Sequence, residues 1–325
     1  MEVRLPDIFL HREALVIKTQ VPRKKAGFNY ERPWTPWLYL LPHGFFFLLF
    51  IIFPVLFGAY ISVVRWDPLR DSIPFVGLEH YVNLMTKGSP QNEFFWRSLG
   101  NTVLFVVVTV PLLIGTSLGL AALVYKRIPG RNVFRSFIFL PGILAVSVVG
   151  ILWRWMFDNQ AGLVNVILTE GFGLSAIPWI TTEWAAWVPI ILSTLWWTVG
   201  FNMTIYLAAM GNIPASVYEA AELDGAGEWK RFVHITCPML SETTLFVTVT
   251  TILASFQLFG QPLMITNGGP TRTTQSVIMY ITEEAFGNNQ YSSAAAMAFV
   301  FGFIMLIFTA AEFRTTIHNA KGGGV

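Results

Sequence analysis

Long apolar blocks alternate with shorter polar segments along most of this chain. Six of these blocks reach or exceed the roughly 20 residues that an α-helix needs to cross the hydrocarbon core of a bilayer. They cover residues 37–64, 99–125, 136–157, 184–210, 237–265 and 292–313. The pattern therefore predicts an all-α polytopic protein whose six transmembrane helices lie in a lipid bilayer.

The distribution of Lys and Arg predicts the orientation of these helices, because basic loops resist translocation. The basic segments are the tail 1–36, the connection 126–135, residues 230–231 and the tail 314–325. They share one side of the membrane only if both termini are cytosolic. The connection 158–183 contains neither Lys nor Arg, as an extracytoplasmic loop should. We expect a multi-pass membrane protein with both tails in the cytosol.

The connection between the first two blocks is also predicted to be extracytoplasmic, although it carries four basic residues. These are Arg65, Arg70, Lys87 and Arg97, and they are interleaved with Asp67, Asp71, Glu79 and Glu93. A long connection with both signs of charge is typical of a small folded cap rather than of a cytosolic loop.

The composition excludes several classes of protein. Only 12% of the residues are charged and 54% are hydrophobic, which is too few charges to cover a water-soluble body of this size. The net charge of +2 is spread over loops and tails, so nucleic acid is not an expected partner. The single cysteine, Cys237, cannot form an internal disulfide, and the dispersed histidines suggest no metal site.

The polar segment 214–238 has the pattern of two short helices joined by a tight turn. Pro214 suits the first position of a helix that runs to Leu223, and Gly225 suits the left-handed residue that ends it. Trp229 and Phe232 then begin a second apolar stripe at helical spacing. The segment is predicted to be a helix-turn-helix on the cytosolic face.

This segment closely resembles the EAA loop of binding-protein-dependent ABC transporter permeases. The matching residues are Glu219, Ala220, Ala221, Asp224, Gly225, Ala226 and Phe232, followed by Ile235 and Pro238. The resemblance implies a type I ABC importer permease fold in which this loop is the coupling helix. It implies that these residues dock into a cleft of an ATP-binding subunit.

Weaker similarities narrow the resemblance to the sugar permeases of the maltose and glycerol-phosphate uptake group. They lie at residues 101–102, 118–120, 141, 148–149, 153–157 and 266–270. The resemblance implies three kinds of partner: a second homologous permease, two ATP-binding subunits and an extracytoplasmic solute-binding protein. The resemblance also implies that the membrane is a prokaryotic cytoplasmic membrane. The N-terminal tail has no counterpart that we can place in that group.

The chain carries no sign of its own catalytic chemistry. It lacks the G-x-x-x-x-G-K-[ST] loop that binds nucleotide phosphates, and it has no nucleophile elbow or HExxH pair. We therefore expect a transport subunit that is not an enzyme and holds no cofactor. ATP and Mg²⁺ should bind to the partner ATPase.

The candidate substrate path consists of hydroxyl, amide and ring side chains on the fourth and fifth blocks. Its residues are Thr194, Trp197, Thr198, Phe201, Thr251, Ser255, Gln257 and Leu258. Hydroxyls hydrogen-bond sugar hydroxyls, and aromatic rings stack on the C–H faces of sugars. Packing between helices explains each of these residues individually about as well. The equivalent positions line the path in the resembled family, which favours the path for the set.

Charged side chains are missing from the middle of every block, and Arg154 and Glu242 fall towards the ends. Because intramembrane charges usually mark ion pathways, this favours a neutral sugar or oligosaccharide. A secondary, ion-coupled transporter is the main alternative, and it should carry an intramembrane charge or an inverted repeat. The sequence leaves open which sugar is carried, whether a phosphorylated polyol replaces it, and whether the permease pair is homo- or heterodimeric.

Overall fold

A computed structural model describes the backbone of residues 34–68, 72–125 and 129–322. Within these ranges the regular structure is helical, apart from one isolated bridge between Val64 and Phe75. The all-α prediction is confirmed. Most of the predicted tail 1–36, and the basic residues Lys126 and Arg127, lie outside the described residues.

The helices are α1 Thr35–Phe47, α2 Phe53–Ile61, α3 Glu79–Met85, α4 Pro90–Tyr125, α5 Arg131–Phe139, α6 Val146–Met156, α7 Leu163–Val166, α8 Trp187–Gly211, α9 Ala215–Leu223, α10 Glu228–Arg231, α11 Cys237–Met239, α12 Ser241–Phe256, α13 Gly260–Ile265, α14 Val277–Thr282 and α15 Tyr291–Gly322. Short π-helical turns follow α1, α7, α10 and α14, and a 3-10 turn, Leu140–Ile143, follows α5. The last helix continues past residue 313, where the sequence predicted the start of a tail.

Among the described residues, four helices are long and apolar enough to cross a membrane by themselves. They are Pro36–Ile61, Pro90–Tyr125, Trp187–Gly211 and Tyr291–Ala311. Two bent helix pairs are also sufficiently apolar, namely Arg131–Ile143 with Val146–Met156 and Glu228–Met239 with Ser241–Phe256. The described residues thus supply up to six crossings if each bent pair forms one.

The chain divides into two compact units at residue 54. The described part of the first unit consists of α1, the π-helical turn Leu48–Ile52 and the first residues of α2. Pro42 is accommodated inside α1. The second unit, 55–325, contains all the other helices and both candidate sites.

Helix α4 is the centre of the second unit and packs most extensively against α8, then against α12. One end of α4 contributes Phe95 to a core cluster that includes Tyr280 of α14 and Phe301 of α15. The other end contributes Ala121 to a second cluster, with Tyr206 of α8. A single helix therefore links both ends of the bundle.

Two predicted crossings are broken rather than continuous. The predicted block 136–157 bends by 101° between Ile143 and Val146, where Leu144 and Ala145 have extended backbone conformations. The predicted block 237–265 begins close to a second bend. A 67° bend after Met239 separates Glu228–Met239 from Ser241–Phe256. The block breaks again between α12 and α13, where Gln257 caps α12.

The connection after α2 is a folded segment, as its mixed charges predicted. Arg65 donates to Glu79 at 2.7 Å, and the Tyr81 hydroxyl donates to Ser62 at 2.9 Å. The backbone N–H of Trp66 donates to the hydroxyl of Ser292 at 2.8 Å, which ties this segment to the start of α15.

Candidate coupling loop and transmembrane cavity

The predicted helix-turn-helix is present at residues 214–238. Pro214 lies immediately before α9, which ends at Leu223. The second arm begins with α10 and continues without a break through a π-helical turn, Phe232–Thr236, into α11. The loop lies between the end of α8 and the start of α12.

The turn between the two arms depends on Gly225, whose φ is +74°. The Gly225 N–H donates to the carbonyl of Glu222 at 3.0 Å, and the Ala226 N–H donates to the carbonyl of Ala221 at 2.9 Å. This pair of bonds is a Schellman motif, which requires a left-handed residue where Gly225 stands. A Cβ placed on Gly225 would meet nothing within 4 Å, so the requirement is conformational and not steric.

Two side-chain contacts brace the arms against each other. Arg231 forms an ion pair with Glu222 at 3.0 Å across the turn. Further from the turn, the hydroxyls of Tyr218 and Thr236 are 2.9 Å apart and hydrogen-bonded. Each contact joins one arm to the other, and together they hold the arms at a defined angle.

The tip of the loop exposes large apolar side chains. Leu223 is 90% exposed and Trp229 is 75% exposed. Of the predicted coupling residues, Glu219, Ala220, Asp224 and Gly225 are exposed, whereas Ala221, Ala226 and Phe232 are half-buried. Apolar side chains exposed together on an otherwise polar loop are typical of a protein-binding surface.

All the residues predicted for the substrate path line one cavity of about 250 Å³. Thr194, Trp197, Thr198 and Phe201 reach it from α8. Thr251 and Ser255 reach it from α12, and Gln257 and Leu258 from the break that follows. The residues around this cavity are all uncharged.

Several of these side chains also make packing contacts, as the alternative interpretation expected. The Thr194 hydroxyl donates to the Ile190 carbonyl of its own helix at 2.8 Å. The Trp197 Nε1–H donates to the carbonyl of Leu144 at 3.1 Å and so anchors the bend between α5 and α6 on α8. The two interpretations are therefore compatible for Trp197, which lines the cavity and supports the bend.

The sequence interpretation missed four polar or aromatic residues of the same cavity: Phe105, Asn202, Thr250 and Gln261. Asn202 follows Thr198 at i+4 on α8, so extending the stripe of path residues by one helical turn would have included it. Its amide donates to the Thr251 hydroxyl at 3.1 Å and joins α8 to α12. Gln261 lies on α13, and periodicity cannot be extended across the break that precedes this helix.

The cavity provides hydroxyl and amide groups beside aromatic rings, in the absence of lining charges. Its volume lies slightly below the about 300–1,000 Å³ that is usual for ligand pockets. Such a surface can hydrogen-bond a neutral polyhydroxylated molecule and pack against its apolar faces. It offers no counter-charge for an ion.

Residues 112–313 match the family described as binding-protein-dependent transport system inner membrane component. The lactose transport system permease protein LacF of Rhizobium radiobacter is 32% identical over 281 residues, which are 85% of this chain and 92% of that protein. The arabinooligosaccharide permease protein AraP of Bacillus subtilis is 30% identical and covers 93% and 95%. The sn-glycerol-3-phosphate permease protein UgpA of Yersinia pseudotuberculosis is 30% identical and covers 89% and 96%.

Among solved structures, a bacterial ABC transporter that imports the acidic polysaccharide alginate has the same fold, with a TM-score of 0.77 at 22% identity. The alignment covers 89% of this chain and 96% of that one. The predicted ABC importer permease fold is confirmed. The chain belongs to the family of inner membrane components of binding-protein-dependent transport systems, and it is a multi-pass ABC transporter permease subunit rather than an enzyme.

Proposed function

We propose that this chain translocates a neutral sugar or short oligosaccharide by alternating access. One observation carries the proposal. The two helices that flank the coupling loop, α8 and α12, are also the helices that line the uncharged cavity. A displacement of the loop is therefore delivered directly to the walls of the path.

The coupling loop acts in this proposal as a stiff lever. The Schellman turn at Gly225, the Glu222–Arg231 ion pair and the Tyr218–Thr236 hydrogen bond fix its arms. A push on the exposed tip is then transmitted to the helix ends and is not absorbed within the loop. Closure of the ATP-binding subunits would supply that push, and the bundle would open to the other side.

The proposed partners follow from the exposed coupling loop and from the lack of a nucleotide-binding loop in this sequence. Two ATP-binding subunits would bind ATP and Mg²⁺ and receive the coupling residues. A second homologous permease would complete the path, and an extracytoplasmic binding protein would deliver the solute. A related alginate transporter has been crystallised with its periplasmic protein, which carried an alginate pentasaccharide.

The names of the relatives refer to several classes of substrate, so the choice among these classes rests on the residues that line the cavity. These names refer to lactose, to arabinooligosaccharides and to sn-glycerol-3-phosphate. The uncharged lining favours the neutral solutes, because burying a phosphate without a cation is costly. The path of a phosphorylated polyol would need a cation such as Arg154, which lies exposed in the last turn of α6.

The test is uptake by proteoliposomes that contain the complete complex, with binding protein outside and ATP inside. Labelled lactose, raffinose and maltotriose are compared with glycerol 3-phosphate. We expect ATP-dependent uptake of at least one neutral sugar and no uptake of glycerol 3-phosphate. Uptake of only the phosphate ester would contradict the proposed substrate. Uptake driven by an ion gradient in the absence of ATP would instead support the secondary-transporter alternative.

The proposed topology, with both termini in the cytosol, can be tested separately. Cys237→Ser removes the only native cysteine. Into this background, Gln20→Cys and Glu170→Cys are introduced one at a time. An impermeant thiol reagent added outside intact cells should label the cysteine at 170 and spare the one at 20. Equal labelling of the two positions would contradict the topology.

A further inference from the structure

A second cavity, of about 600 Å³, lies on the opposite side of α13 from the first. Leu258 and Gln261 face the cavity already described, which we now call the inner cavity. Phe259 and Leu263 face the second, which we call the outer cavity. A single short helix of six residues, Gly260–Ile265, thus separates the two.

The outer cavity lies beyond the end of α12 that is distant from the coupling loop. Helix α12 starts next to that loop, and its 16 residues span about 24 Å. The outer cavity is lined by residues between Phe259 and Gly287, which follow α12 along the chain. With the coupling loop in the cytosol, this cavity therefore faces the side from which a solute arrives.

An ion pair forms the polar wall of the outer cavity. Both terminal nitrogens of Arg272 donate to the two oxygens of Glu283, at 3.0 and 2.8 Å. Arg272 also donates to Gln275 at 2.9 Å, and the Gln275 amide donates back to Glu283. The guanidinium lies 4.5 Å from the centroid of the Phe94 ring. Both charged side chains keep about a third of their surface exposed.

The loop that carries Arg272 is held in an unusual conformation. Thr271 and Arg272 have φ values of +45° and +62°, which non-glycine residues rarely adopt. Asn101 of α4 donates to the carbonyls of Arg272 and Gln275 at 3.0 and 3.1 Å. Such a conformation persists only where neighbouring groups over-determine it, and it is enriched at ligand sites.

The same cavity also presents aromatic surface. Phe286 lines it and is 73% exposed, and Phe259 lines it from the start of α13. Arg272 is the only cation among its lining residues, and that cation is already neutralised by Glu283. A free anion would find no unpaired positive charge here. A neutral molecule with adjacent hydroxyls can bond to the edges of this pair and stack on the exposed ring.

We propose that the outer cavity is a second saccharide subsite, which receives a sugar unit before it passes α13 into the inner cavity. Glu283 accepts from a sugar hydroxyl, Arg272 donates to one, and Phe286 packs against the sugar ring. This subsite rests on the proposed function, since it takes the same class of solute.

Cysteine protection tests the subsite directly. In the Cys237→Ser background, Thr282→Cys places one thiol in the cavity wall, and Gly287→Cys provides a second position. The reconstituted complex without ATP is treated with an impermeant thiol reagent and titrated with lactose, raffinose or glycerol 3-phosphate. At about four times its dissociation constant, a neutral sugar should slow labelling about fivefold.

Glu283→Gln and Phe286→Ala should each remove this protection while the labelling rate without sugar is kept. The matched controls are Glu79→Gln, which breaks another Arg–Glu pair, and Phe172→Ala, which removes another exposed ring. Both controls should retain the protection. Phe286→Ala keeps the test decisive if Glu283→Gln disturbs the loop, because Phe286 is largely exposed.

Three results would overturn the subsite. One is unprotected thiols in a complex that takes up a neutral sugar. Another is protection by glycerol 3-phosphate alone, which would identify an anion site. The third is protection by the binding protein without sugar, which would identify a protein contact. Absence of neutral-sugar uptake would contradict the proposed function instead, so the two failures can be told apart.

Discussion

The coupling loop and the inner cavity are built in opposite ways. The loop is held by contacts between residues close in sequence, such as Glu222 with Arg231, and its tip is exposed. The cavity brings together α4, α8, α12 and α13, and its hydrogen bonds join residues as distant as Asn202 and Thr251. Damage to the loop should therefore impair transmission, whereas damage around the cavity should impair either assembly or passage.

Two glycines make this contrast concrete. Gly225 is required for its backbone conformation and has open space around it. Gly200, on α8, is required because there is no room for a side chain. A Cβ at this position would lie 2.4 Å from the carbonyl oxygen of Ile138. One glycine serves a turn, and the other serves the close packing of α5 on α8.

The largest effect is expected for Gly200→Ala. The added methyl group would force α5 away from α8, and overpacking of this kind costs about 1–3 kcal/mol. We expect a lower thermal unfolding temperature and poor recovery of the complex, measured by size exclusion and thermal melting in detergent. Gly211→Ala in the same helix has nothing within 4 Å of the new Cβ and should behave like the parent. Equal stability of the two variants would contradict the packing role of Gly200.

Gly225→Val should leave an assembled complex that does not transport. A β-branched residue in the left-handed region costs about 1–3 kcal/mol, and the turn would relax into another conformation. We expect loss of substrate-stimulated ATPase activity in the reconstituted complex, with membrane insertion intact. Gly225→Asn is the matched variant, because asparagine tolerates this region and should retain most of the stimulation. Full stimulation in the valine variant would mean that this loop is not the transmission element.

The same difference decides what the sequence could predict. The helix-turn-helix was predicted from Pro214, Gly225 and the spacing of the second arm, because caps and turns are specified locally. Seven of the eight path residues follow the helical period of the fourth and fifth apolar blocks, with Gln257 beside them, and the family resemblance favoured the path for the set. The structure brings all eight to one cavity. Helical period thus selected the residues, and the resemblance supplied their role.

What the sequence did not predict depends on contacts between distant segments. Composition places 136–157 in the membrane, but the 101° bend depends on the packing of α5 and α6 against α8 and α13. Arg272 and Glu283 were absent from the predicted sites because Arg272 lies in an irregular loop and Glu283 directly follows α14, a helix that the sequence did not predict. The backbone of the loop that carries Arg272 is held by hydrogen bonds from Asn101 on α4, about 170 residues earlier in the chain.

A smaller effect is expected at Trp197, which both lines the inner cavity and donates to Leu144. Trp197→Ala should lower the uptake rate while subunit assembly and the affinity of the binding protein for sugar stay unchanged. Trp197→Phe separates the two roles, because it keeps a ring in the cavity and removes only the N–H donor. If uptake is unchanged in Trp197→Ala, the ring serves packing and the path lies elsewhere.

Glu219→Lys should weaken coupling less than Gly225→Val does. Glu219 is exposed on α9, so reversal of its charge leaves the fold intact and changes only what the loop presents. We expect reduced recovery of the ATP-binding subunit and partly reduced ATPase stimulation, both partly restored at high ionic strength, because salt screens the repulsion between the new lysine and a basic group of that subunit. Glu170→Lys, on the predicted outer connection, is the control and should change neither quantity. Normal recovery and stimulation in Glu219→Lys would exclude this carboxylate from docking.

The smallest effect is expected for the hydrogen bond between Asn202 and Thr251, which joins the two helices of the path. Thr251→Val preserves the shape of the side chain and removes the acceptor, so the buried Asn202 amide loses this partner. Hydrogen bonds between transmembrane helices are worth about 0.6 kcal/mol on average. A double-mutant cycle of Thr251→Val with Asn202→Ala, followed by thermal unfolding in detergent, should give a coupling energy of about that size.

Thr250→Val is the matched control, since that hydroxyl bonds to the carbonyl of Phe246 within its own helix. If the coupling energy between Asn202 and residue 250 is as large as that between Asn202 and residue 251, the measured coupling energy reflects general loosening of α12 and not this hydrogen bond.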